Sequence, residues 1–131
     1  AAAAFYGALF GWEAGPADPE GGARMVYLPG YGDHLAERDP GLRERMAGLG
    51  APERFEDVVA WITPVADGLA PHWDVTFAVA DADVAAARAV ERGGRIVLPP
   101  TDMPWVRTTV ISDPEGAMFT ASRFVPPGRE V

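Results

Sequence analysis

The side chains able to do chemistry are few. The chain has two histidines, His34 and His72, and neither cysteine nor lysine. Without cysteine there are no disulfides, zinc–thiolate sites, iron–sulfur clusters or thiolate nucleophiles. An activated nucleophile needs His or Lys beside Ser or Cys, and no such arrangement is visible. His72 and Asp74 stand two apart in an extended stretch. Period-2 counting puts them on one face, where they could chelate a metal as a pair, though two donors leave a shell incomplete. The plainer reading leaves His72 at the exposed start of a strand. His34 lies in a Gly-rich segment and reads as a solvated side chain. Asp57 precedes an apolar run, where it is a general base if buried and otherwise a solvated carboxylate. Gly21-Gly22 and Gly93-Gly94 mark turns rather than a phosphate-binding loop.

The elements that must position these residues follow from periodicity. The 131 residues suffice for one domain with one core, and 48% apolar with 23% charged is ordinary globular usage. A net charge of −8 argues against nucleic acid or an anionic membrane as partner. No apolar run reaches the ~18 residues of a membrane span, and no signal segment is present, so a cytoplasmic location is expected. Ala1–Trp12 predicts a helix with Phe5, Ala8, Leu9 and Trp12 on one face. A turn-rich break through Gly22 leads to a strand at Arg24–Leu28. Asp39 is expected to cap a helix to Leu49, with Pro40 in its first turn. A strand spans Val58–Ile62, and Asp67–Pro71 reads as a linker.

In the second half, Trp73–Val79 alternates as a strand, with Asp74 and Thr76 opposite Phe77 and Val79. Asp81 caps a helix over Ala82–Arg92 that buries Val84, Ala87 and Val90 or their neighbours. Arg95–Leu98 is a strand stopped by Pro99-Pro100. Strands at Trp105–Ser112 and Ala117–Phe124 flank the turn Asp113-Pro114-Glu115-Gly116. This half reads strand, helix, strand, strand, strand. The first half becomes a second copy if one strand lies before Ala1 and another near Gly32–Leu35. The abrupt helical start leads us to expect a longer parent protein.

Four segments in order carry a family resemblance. Phe5–Trp12 (FYGALFGW), Phe77-x-Val79-x-Asp81-x-Asp83 with Gly93-Gly94, Pro99-Pro100-x-Asp102-x-Pro104, and Asp113–Ala117 (DPEGA) resemble the vicinal-oxygen-chelate superfamily of glyoxalases, bleomycin-resistance proteins and dioxygenases. More narrowly, the chain looks like actinobacterial tandem-domain members labelled hydroxylase. The resemblance implies an α+β fold of paired βαβββ modules, with a curved mixed sheet forming a cup and helices outside. Residues 1–125 would be one domain, with module one about 1–66, module two about 72–125, and a loose tail at 126–131.

The resemblance also implies where a metal would be held. The first-strand ligand position falls on Asp74 and the last-strand position on Thr120, a weak ligand beside a carboxylate or imidazole. No metal is therefore expected, with His72 and Asp74 as the alternative pair, and no other cofactor. Pairing Ser112 with Ala117 would set Thr109 opposite Thr120 and Arg107 opposite Ser122. Trp105, Arg107, Thr109, Met118, Thr120 and Ser122 would then face the cup, and Val106, Thr108, Val110, Phe119 and Ala121 the helices. The expected ligand-binding set is Trp61, Asp74, Thr76, Trp105, Arg107, Thr109, Met118 and Thr120. Such a lining suits a planar organic molecule with an anionic or carbonyl oxygen. Trp61 and Trp105 could instead be core or dimer-interface residues, Arg107 could pair with Asp74, and Tyr27 and Tyr31 could be cup or loop residues or simply packing.

Two functions follow. The first is a metal-independent binder of a small organic ligand, serving secondary-metabolite resistance or sequestration. The second is a lyase, isomerase or oxygenase of this superfamily, using Asp74, His72 or Arg107 for proton transfer and oxyanion support. The expected partner is a second copy, as a homodimer, or a second such domain of the same chain, because an unfilled strand position leaves a sheet edge open.

Overall fold

A computed structural model of the chain describes residues 1–126. The fold class is α+β, in two compact units, Ala1–Ala70 and Pro71 onward. The expected tail at 126–131 lies, apart from Pro126, outside the described residues.

The second unit runs β4 (Thr76–Ala78), α4 (Ala82–Glu91), β5 (Arg95–Met103), β6 (Val106–Ser112) and β7 (Met118–Phe124). Its sheet order is β4-β7-β6-β5, mixed because β4 runs parallel to β7 while the other pairs are antiparallel. Asp81 caps α4 as its spacing requires, accepting the Val84 N–H at 2.9 Å. The helix buries Ala82 and Ala86, whereas Val84 and Val90 point outward. The expected Val84/Ala87/Val90 stripe is thus rotated. Alanines at i and i+4 let the helix lie close on the sheet, whose buried residues include Thr109, Ile111 and Ala121.

β5 does not stop at Pro99-Pro100; it continues through both. It is the sheet's edge strand, and its register shifts between Leu98 and Thr101. Edges and bulges are where a strand tolerates residues lacking an N–H.

The first unit runs α1 (Ala2–Phe10), β1 (Glu13–Ala14), β2 (Arg24–Tyr27), α2 (Tyr31–Arg38), α3 (Leu42–Gly48), a 3-10 turn at Phe55–Asp57, and β3 (Val58–Ile62). Its antiparallel sheet has the order β1-β2-β3. This is the helix and last three strands of the second unit in the same spatial order. No described strand flanks the outer edge of β3, the position β4 fills beside β7.

Two local expectations fail here. The segment near Gly32–Leu35 is helix, not strand. It begins where Gly32 N–H donates to Asp57 Oδ1 at 2.7 Å, a cap supplied from 25 residues away and so invisible to local pattern. Asp39 does not cap α3, whose N-cap is Gly41; its carboxylate instead pairs with Arg45. The inward face of α1 is Ala3, Tyr6 and Gly7, leaving Phe5 and Leu9 exposed. Gly7 permits this approach, since a Cβ there would meet the Trp12 carbonyl oxygen at 3.0 Å.

Candidate functional site

The register of the closing hairpin decides which side chains share a surface. Asp113 N–H donates to the Ala117 carbonyl at 2.8 Å, and Gly116 is left-handed at φ 96°. Asp113 Oδ1 accepts from both Glu115 and Ala117 N–H at 2.9 Å. This is a three-residue loop with its Gly in the left-handed position, which adds one residue to the connection. Ser112 therefore pairs with Met118, not Ala117, and Thr120 lies opposite Val110, Ala121 opposite Thr109, and Ser122 opposite Thr108.

That one-residue difference turns β6 over relative to expectation. Arg107 and Thr109 face the helix. Arg107 Nε and Nη2 donate to the two Asp83 carboxylate oxygens on α4 at 2.6 and 2.8 Å, and Nη1 donates to Asp102 at 2.9 Å. The Arg107 hydrogen bonds hold the Asp83 carboxyl below the usual carboxylate range, and the two carboxylates hold Arg107 still more firmly protonated. Thr109 is 0% exposed and donates its hydroxyl to the Leu98 carbonyl at 2.8 Å. Neither residue belongs to the open face, and Arg107 does not pair with Asp74.

The open face instead carries Thr76 on β4, Met118, Thr120, Ser122 and Phe124 on β7, Val106, Thr108, Val110 and Ser112 on β6, and Thr101 and Met103 on β5. Asp74 joins it, because its carboxylate accepts the Thr120 hydroxyl at 3.0 Å. Of the expected set, Asp74, Thr76, Met118 and Thr120 thus share one surface.

Trp105 stands at the rim of this surface. Pro104 and Trp105 form a two-residue turn between the paired Met103 and Val106, and Trp105 is left-handed at φ 71°. Its ring stacks on Phe124, centroids 6.2 Å apart and planes 16° apart. Phe124, Met103 and the hydroxyl row Thr101–Thr108–Ser122 had not been assembled from sequence. A loop-with-bulge reading of Asp113–Gly116 would have found most of them.

Asp74 and Thr120 occupy the two positions at which the family resemblance implies metal ligands. They are bonded to each other and offer one carboxylate and one hydroxyl. Among the described residues no group of three or more His, Cys, Asp or Glu is placed to hold a metal ion. This donor set does not fit a Zn²⁺, Ni²⁺ or Fe²⁺ centre.

In the first unit, Trp61 is exposed and lines an open apolar cavity of ≈ 310 Å³ with Leu35, Met46, Phe55 and Val58–Ala60. Four consecutive strand residues can line one cavity only along the strand's edge, because their side chains alternate between faces. Asp57 is tied to Gly32 and lies 3.7 Å from Arg54, so it is a structural carboxylate rather than a free base. Arg54 also bonds Glu13 at 2.9 Å and covers the Tyr27 ring at 4.7 Å. Tyr31 and His34 lie ring to ring at the start of α2.

A model of the glyoxalase-like domain matches residues 1–122. DnrV of Streptomyces peucetius, an anthracycline biosynthesis protein, is 36% identical over 121 residues, covering 84% of this chain and 39% of DnrV. CFP32 of Mycobacterium bovis, provisionally named a glyoxylase, is 42% identical over 71 residues, covering 53% of this chain and 27% of CFP32. The chain thus spans well under half the length of these curated relatives. A solved member of the glyoxalase/bleomycin resistance protein/dioxygenase superfamily from Sphaerobacter thermophilus aligns with 93% of this chain and 85% of its own at 23% identity and a TM-score of 0.35. No helix among the described residues is long and apolar enough to cross a membrane.

Proposed function

The chain belongs to the glyoxalase-like domain family, and from that premise we propose that it binds a small planar organic ligand on the open face of the second unit, without a metal. The observation that carries this reading is the pairing of Asp74 with Thr120 on a surface that also carries an aromatic rim. The carboxylate that would serve a metal is engaged by a hydroxyl. The same surface offers exposed apolar area at Trp105, Phe124, Met103 and Met118. Apolar area with a few fixed polar groups is the usual make-up of an organic-ligand site.

The role we propose is sequestration of, or resistance to, a secondary metabolite in the cytoplasm. The name of DnrV, an anthracycline biosynthesis protein, supports that setting. We further propose that the protein works as a homodimer, or beside a second domain of its own kind, since the outer edge of β3 is unpaired among the described residues. Metal analysis and native mass spectrometry of purified protein test these points together. We expect no stoichiometric metal, a retained organic mass and a paired assembly. Stoichiometric Fe, Ni or Zn surviving dialysis would overturn the metal-free reading.

An enzymatic reading, as a lyase, isomerase or oxygenase, is favoured by the biosynthetic names of DnrV and of DauV from a Streptomyces species. With Arg107 turned to the helix, such chemistry would rest on Asp74 and His72. Turnover of any identified substrate that survives substitution of both removes this alternative.

A further inference from the structure

Resting on the ligand-binding reading above, we infer that the occupant of the open face is a flat, uncharged aryl compound bearing a phenol or ketone oxygen. The first ground is Trp105. A residue other than Gly or Asn is disfavoured at positive φ, and the second position of a turn that begins with Pro and ends left-handed normally holds Gly. Trp105 sits there at φ 71°. Burial does not explain its presence, since it remains 40% exposed. The backbone geometry instead sets the indole against Phe124, itself 53% exposed, so the two rings form an accessible aromatic plate.

The second ground is the neighbouring row. Thr101, Thr108 and Ser122 lie side by side across β5, β6 and β7, next to the row of Met103, Val106 and Phe124. The two rows are separated by about 7 Å, two residues along a strand. That is the reach from the middle of a fused ring system to an oxygen on its edge. Ser122 is half-buried and can donate to or accept from such an oxygen; Thr101 is exposed but already donates its hydroxyl to the Pro99 carbonyl at 2.7 Å, so it can accept only from a phenol, while Thr108 is buried between them.

The third ground is charge. Asp102, Arg107 and Arg123 pair across the same three strands but on the helix side. On the open face, Asp74 is engaged by Thr120, and Arg95 lies at the far end opposite Ser112. Neither of the two rows offers a counter-ion. A charged ligand would be desolvated there without compensation, which is costly. The anionic oxygen expected from sequence depended on Arg107, and it goes with that residue's reassignment.

The test uses the whole chain and three probes of one size: 2-naphthol, naphthalene-2-sulfonate and decahydro-2-naphthol. Affinity is measured by calorimetry and location by NMR shift mapping. We expect 2-naphthol to shift Trp105, Ser122 and Thr101, and to bind at least tenfold tighter than the charged or the puckered probe. Trp105→Gly keeps the left-handed turn, so it preserves the fold while weakening 2-naphthol at least tenfold. Ser122→Ala weakens it several-fold. Equal or tighter binding of the sulfonate or the decahydro compound on this face would overturn the inference while leaving the ligand-binding reading standing. Unchanged affinity in Trp105→Gly would do the same. Failure of all three probes to shift any residue of the face would overturn both.

Discussion

Among the glycines of the first unit, Gly32 leaves the least room for a side chain. A Cβ there would lie 2.1 Å from Glu56 Cγ and 2.9 Å from its Cβ. Gly32→Ala is expected to cost about 1–3 kcal/mol or more through overpacking, read by urea unfolding. Asp57→Ala removes the acceptor of the Gly32 N–H and should cost ~0.5–2 kcal/mol, as loss of a helix cap does. Neither residue lies in the proposed site, so the ligand affinity of the folded protein should hold. Thr109→Val makes a sharper contrast, because Thr109 had been expected to face the ligand. Its hydroxyl serves the Leu98 carbonyl under α4. The variant should lose about 1 kcal/mol of stability and leave probe affinity unchanged.

At the scale of elements, α4 is fixed to the sheet by small apolar residues and by one forked ion pair, Arg107 with Asp83. The pKa of Asp83 is lowered in the folded chain, chiefly by the Arg107 hydrogen bonds. A carboxyl with a depressed folded value contributes stability above its unfolded pKa, near 3.9, and loses it as pH falls through the folded value. Asp83→Asn should therefore be less stable than the parent at pH 7. The difference should shrink below about pH 4 and vanish once Asp83 is protonated in both states. Melting curves from pH 2 to 7 check this, and a deficit unchanged at pH 2 would show that the pair is not its source. The Pro104-Trp105 turn works in the same way at element scale, its backbone choice deciding where an aromatic ring stands.

Across the whole molecule, the two units repeat one strand order with unequal completion. β7 is paired on both sides by β6 and β4, whereas β3 has β2 alone among the described residues. Native-state hydrogen exchange should thus find β7 amides protected close to the global limit and about half of the β3 amides exchanging faster. Slow exchange along all of β3, appearing only at high protein concentration, would mark its edge as covered in an assembly. Much of this plan was legible beforehand. The βαβββ order of the second unit followed from alternation in Trp73–Val79, of which Thr76–Ala78 is strand, from the Asp81 cap and from the Asp113–Gly116 turn. The α2 helix was not legible, because its start depends on a carboxylate 25 residues downstream. The run of β5 through two prolines was not legible either, because only its position at the sheet edge makes them tolerable.

By itself, the sequence determined the family, the α+β class and the residue types available to a site, since these rest on ordered local motifs and composition. Through the family resemblance it implied metal-ligand positions at Asp74 and Thr120. What only the tertiary structure decided was facing. Side chains alternate along a strand, so a single extra residue in the loop after Asp113 reassigns every one on β6 relative to β7. Arg107 went to the helix, Thr109 into the core, and the Trp105–Phe124 plate to the open face. A pattern of period two carries no information about its own phase. That phase was set by Gly116 in its left-handed turn and by the packing of α4 on one side of the sheet.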